Sequence, residues 1–78
     1  MHFGTLSRTT MRTNLIQHFE REKLRCETSL NSAEKPGFRL VEIVAGRPDV
    51  EVTARHIEHL RRAIDEYQRM IDYLKTAP

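Results

Sequence analysis

Between Thr53 and Lys75 the chain places Ile57, Ile64 and Ile71 at seven-residue intervals, with Leu60, Tyr67 and Leu74 three residues after each. No other feature restricts the fold as much. The spacing is that of one face of an α-helix, an a/d seam sustained over several turns. In an extended strand the same side chains would scatter over both faces. Such a stripe requires a covering surface. Each aliphatic side chain withdrawn from water contributes about 1.5–3 kcal/mol. The core seam of Ile57, Leu60, Ile64, Tyr67, Ile71 and Leu74 is therefore expected to dominate the stability of the domain.

The opposite face is equally ordered. Arg55, Arg62 and Arg69 form one column, and Glu51, Glu58, Asp65 and Asp72 form the next. Glu58 with Arg62, and Asp65 with Arg69, place acid before base at i, i+4, the favoured orientation, at about 0.2–0.5 kcal/mol per pair. This face reads as solvated. Thr53 has the chemistry of an N-cap, since its hydroxyl can accept a hydrogen bond from an unpaired N–H of the first turn.

Upstream, Thr9 to Asn31 reads as a first helix, with Met11, Leu15, Phe19, Cys26 and Leu30 near one face and Ile16 on its border. Pro36-Gly37 breaks it. The segment Phe38–Val44 (FRLVEIV) contains Val41, Ile43 and Val44, whose branched β-carbons favour a pleated strand. A turn over Ala45–Asp49 leads to Val50-Glu51-Val52-Thr53, again alternating apolar and polar. Two such runs around a Gly/Pro turn predict a β-hairpin. The expected architecture is α+β, a small helix–β-hairpin–helix domain over residues 9–76 behind a flexible N-terminal arm, residues 1–8. The competing reading is an all-α helical hairpin or coiled coil, with helix continuing through 38–53.

Composition excludes several classes. Seventy-eight residues form one domain at most, and a 38% apolar, 31% charged balance is globular. No apolar run approaches the roughly 18 residues of a membrane span, and Met1–Thr10 lacks the apolar core of a secretory signal. A cytoplasmic protein with no membrane contact is expected. The single cysteine, Cys26, precludes an internal disulfide or a thiolate zinc cage and reads as a small buried hydrophobe. A formal charge of +2 is weak support for nucleic acid, and each arginine of the last helix has an acid within reach.

No catalytic residues and no metal ligands are expected. The chain contains no nucleophile elbow and no phosphate loop. A domain this small has little room for a water-excluding pocket of about 300 Å³ or more. His56 and His59 are three apart, but zinc needs three or four rigid ligands and no third is spaced to join them. They read as helix-surface histidines. No cofactor is expected. The candidate protein-interface residues are Arg39 and Arg47 on the hairpin, together with Phe38 and Tyr73, aromatics placed where they either anchor a partner or cover the edge of the core.

One stretch resembles a known family. Gly37, the run FRLVEIV, a turn, Val50-Glu51-Val52-Thr53-Ala54, a helix carrying Ile57, Leu60 and Ile64, and then the basic pair Arg61-Arg62 follow the pattern of the gpW-type head–tail joining (head completion) proteins of tailed phages. The resemblance runs without a gap from Gly37 to Tyr67, about two fifths of the chain. It implies a viral structural protein that binds below the portal as a ring, helps retain packaged DNA, and presents the site for the next connector, stopper or tail protein. Its places would be the virion connector and, before assembly, the host cytoplasm. Three departures stand beside it: the longer Ala-Gly-Arg-Pro-Asp turn, a longer first helix with an added arm, and an ending at Lys75-Thr76-Ala77-Pro78 where the type member continues.

Two other classes compete. A small cytoplasmic helical adaptor or inhibitor would dock through the Ile/Leu/Tyr seam, the usual signature of helix pairing. A minor DNA-binding module would bind with affinity that falls steeply with salt.

Overall fold

The computed structural model describes residues 8–77. Helix α1 spans Arg8–Ala33, strand β1 Val41–Glu42, strand β2 Val50–Glu51 and helix α2 Thr53–Thr76. This is the helix–hairpin–helix arrangement, and the all-helical alternative is set aside by the antiparallel pairing of Val41 with Glu51 and Glu42 with Val50. Residues 1–7 of the expected arm lie outside the described residues, and Arg8 already belongs to α1.

Two glycine turns shape the middle of the chain. The Phe38 amide donates to the Lys35 carbonyl at 3.2 Å, enclosing Pro36 and Gly37, and Gly37 has φ 85°. Proline at the second and a positive φ at the third position are what this turn class selects. The hairpin tip repeats the device: Arg47 N–H donates to Val44 O at 3.1 Å, with Gly46 at φ 80°. The turn proper is thus Val44–Arg47, tighter than the expected span, and Pro48 and Asp49 lead into β2.

The regular pairing is short because the strands leave the helix pair and have no second layer to pack on. A two-stranded hairpin is marginal alone. Its root supplies the rest. Leu40 is tied through both of its backbone polar groups: its N–H donates to Thr53 Oγ1 at 2.9 Å and its C=O accepts from the Val52 N–H at 2.8 Å. This corrects the expected role of Thr53: α2 begins after Val52 without a side-chain cap, and the Thr53 hydroxyl accepts from the hairpin instead. Thr53→Val is expected to cost about 0.5–1.5 kcal/mol, the net worth of one hydrogen bond, and to accelerate hydrogen exchange at the Leu40 amide. An unchanged exchange rate there would show that the root is held by other contacts.

The helices run antiparallel. Arg12 reaches the Ala77 carbonyl at 2.9 Å, Lys23 Nζ reaches Gln68 Oε1 at 2.6 Å, and Arg61 meets Glu34 at 2.6 Å. Phe19 and Tyr67 rings lie 6.0 Å apart between them. The α2 seam therefore faces α1, but one partner helix cannot close it. Among the described residues only Ala33, Leu60 and Ile71 are buried, while Ile57, Ile64, Tyr67 and Leu74 are half-buried. The molecule measures 59 × 26 × 17 Å, and its radius of gyration of 18.1 Å far exceeds the roughly 11–12 Å of a compact globule of equal length.

On α1 the expected face is rotated. The half-buried or buried positions include Arg12, Ile16, Phe19, Lys23, Cys26, Leu30 and Ala33, a seven-residue repeat of its own, flanked by the half-buried Glu22 and Glu27. Met11 and Leu15, expected on the inner face, are exposed, and Ile16 takes their place. Arg12 and Lys23 occupy seam positions by extending their polar heads to partners on α2.

Candidate protein interface

From Arg39 to Glu51 every residue is exposed, although the segment is the richest in branched apolar side chains. Side chains alternate across a strand, so the register places Val41 and Ile43 on one face of the hairpin and Leu40, Val44 and Val50 on the other. The second face leans over the start of α2, where Arg55 bonds Glu42 at 2.8 Å. On the first face Val41 is 38% exposed and Ile43, toward the tip, is 76% exposed. A helix pair topped by an apolar projection differs from the usual monomer, which seldom presents contiguous apolar surface.

The candidate residues separate on this frame. Arg39 pairs with Glu51 at 3.4 Å across the outer face of the hairpin. Arg47 stands at the tip and makes no ion pair with Asp49 or with any other described residue. Phe38 is half-buried, its ring stacked on His56 with centroids 6.4 Å apart and planes inclined by 17°. It anchors the hairpin root rather than facing outward. Tyr73 is 71% exposed at the opposite end of the molecule.

Tyr73 does not stand alone. With Leu15, Phe19, Met70, Leu74 and the stem of Arg69 it lines an open groove of about 350 Å³ between the start of α1 and the end of α2. The groove exists because α1 is rotated: Leu15 lies off the seam, while Met70 and Tyr73 flank it on the same side of α2. Hairpin and groove thus sit at opposite ends of a helix pair, separated by about 30 Å of α2 at 1.5 Å per residue.

Sequence reading missed Met11, Leu15 and Met70 as surface apolar residues. The available signal was a second stripe on α1, since Met11 and Leu15 follow one helical row and Ile16, Phe19 and Cys26 another. Met70 could have been found as an apolar residue immediately beside the seam position Ile71.

The cationic column is paired. Arg62 meets Glu58 at 3.1 Å, Arg69 meets Asp65, and Arg55 and Arg61 cross to Glu42 and Glu34. Exposed pairs of this kind contribute about 0–1 kcal/mol each; their effect here is to neutralise a face that phosphate binding would need free. His56 lies under Phe38 and His59 faces outward. Among the described residues no group of three or more His, Cys, Asp or Glu side chains is placed to hold a metal ion, and no helix is long and apolar enough to cross a membrane. Cys26 is a free, half-buried thiol in the α1 seam.

What this arrangement can do is bind protein. It offers an apolar arm and an apolar groove, each bordered by charge. Comparison with protein-family models, with curated proteins and with solved structures finds no match for this chain.

Proposed function

We propose that the chain is a non-enzymatic connector subunit of a tailed phage, binding below the portal as a ring to complete the head and to present the site for a stopper or tail protein. The observation that carries this reading is the exposed hairpin: Ile43 is 76% and Val50 55% open to solvent, yet the hairpin root is tied to α2. A surface of that kind is maintained for assembly. The resemblance of Gly37 to Tyr67 to the gpW-type proteins covers this hairpin and the first half of α2, and their helix–hairpin–helix order agrees with the order found here. The adaptor reading is weaker because the seam that would dock a partner already faces α1 within the chain.

The test is binding of the purified chain to a portal ring, read by co-sedimentation and by electron microscopy of the complex. Wild type is expected to add density below the ring. Arg47→Glu, at the unpaired tip, is expected to keep the wild-type melting curve while weakening that association about tenfold, equivalent to ~1.4 kcal/mol. Portal association equal to wild type in this variant would remove the hairpin tip from the interface. Absence of any portal binding by the wild-type chain would remove the connector reading.

A further inference from the structure

The two apolar surfaces are unlike and complementary. One is convex, the outer face of the hairpin with Val41 and the 76%-exposed Ile43. The other is concave, the groove of Leu15, Phe19, Met70, Tyr73 and Leu74. They lie at opposite ends of the long axis. We infer that they are two halves of one contact: the hairpin of each copy seats in the terminal groove of a second copy, joining chains head to tail.

Charge favours a second copy as the occupant. Arg47 at the hairpin tip makes no ion pair with any described residue. On α2, Glu66 stands one turn before Met70 and two turns before Tyr73, on the flank of the helix that borders the groove, and it too makes no ion pair with any described residue. Other arginines of the hairpin and α2, Arg39, Arg55, Arg61, Arg62 and Arg69, already have acids. Seating the hairpin would bring an unpaired cation to an unpaired carboxylate while covering Ile43 and Tyr73. Contact between two different patches propagates: it closes into a ring when the rotation per step allows, and otherwise continues as a filament. A reciprocal two-fold dimer, with each hairpin in the other copy's groove, would also cover both surfaces but would stop at two chains, so a mass beyond the dimer is what distinguishes the head-to-tail contact.

This inference deepens the ring reading by supplying the contact between neighbours, and it is tested without a portal. Ile43→Asp blocks the hairpin and leaves the groove; Tyr73→Asp blocks the groove and leaves the hairpin. Both sites are exposed, so both variants are expected to melt as wild type does. In sedimentation velocity at high protein concentration, wild type is expected to exceed the mass of a dimer, and each variant alone to remain monomeric. An equimolar mixture of the two is expected to form a heterodimer and nothing larger, because only one hairpin–groove pair remains. Arg47→Glu combined with Glu66→Arg in one chain is expected to restore the association that each substitution alone weakens. Self-association surviving in Tyr73→Asp, or a mixture that stays monomeric, overturns the inference, as does a wild-type chain that is monomeric throughout. That last result is also the one expected if the chain's own residues 1–7 fill the groove. Portal binding without self-association would sink this contact and leave the connector reading standing; the converse would do the reverse.

Discussion

Ile71→Asp is expected to abolish the helical circular-dichroism signal of the dilute chain at room temperature. Ile71 is 2% exposed, the most deeply covered of the three buried residues. Removing its side chain alone would cost about 2–5 kcal/mol as lost transfer and cavity, and a carboxylate without a partner in that position costs more. The total stability of a domain this small, with so few residues covered, is of the same order, about 5 kcal/mol at the low end of natural domains. The helices cannot survive separately, since most helical stability in proteins comes from packing of the apolar face. A variant that kept its helical signal and its melting point would show that α1 and α2 do not pack through this seam.

Leu60→Ala should give the second largest loss, and by a different route. Leu60 is 7% exposed near the hairpin end of α2, eleven residues from Ile71. Truncation leaves a cavity without introducing charge. A cost of about 2–3 kcal/mol, toward the low end for such changes, is expected because half-exposed neighbours such as Ile57 and Ile64 have room to collapse on the site. For a chain of this size that corresponds to a melting temperature lower by roughly 10–20 °C. The two sites are about 16 Å apart along the helix, so the losses in Leu60→Ala and Ile71→Ala should add within about 0.5 kcal/mol. A loss below about 1 kcal/mol at Leu60 would place the hairpin end of the helix pair outside the cooperative unit.

The thin core gives the exposed apolar residues their meaning. In a compact domain Ile43, Tyr73 and Leu15 would be the third and fourth walls of one core. Here two helices and a two-stranded projection cannot provide those walls, so the same side chains remain at the two ends of an elongated molecule. Burial that a chain cannot complete alone can be completed by a second chain, which is the link between this fold and the assembly role we propose.

Much of this was legible in the residues. The periodicity of α2 is strict enough that its limits fall within a residue of expectation, Thr53–Thr76 against Thr53–Lys75. The hairpin followed from branched residues on both sides of Gly46, and the break after α1 from Pro36-Gly37. The candidate site was legible in part. Arg47 is at the unpaired tip and Tyr73 is exposed, but Phe38 turned out to be an anchor for the hairpin root because His56 lies one turn into α2, directly beneath it.

The sequence by itself determined the elements and their order, because those depend on quantities each short segment carries alone: an apolar period, a rigid φ at proline, a positive φ at glycine. Only the tertiary structure decided which stripe of α1 is inward. Met11 with Leu15 and Ile16 with Phe19 are both apolar rows, and a helix cannot bury both against a single partner. The choice rests on the packing of Ile16, Phe19, Cys26 and Leu30 against the α2 seam, and on Arg12 and Lys23 finding acceptors at Ala77 and Gln68. That same rotation leaves Leu15 beside Met70 and Tyr73 and so makes the groove, which no local pattern of residues could have specified.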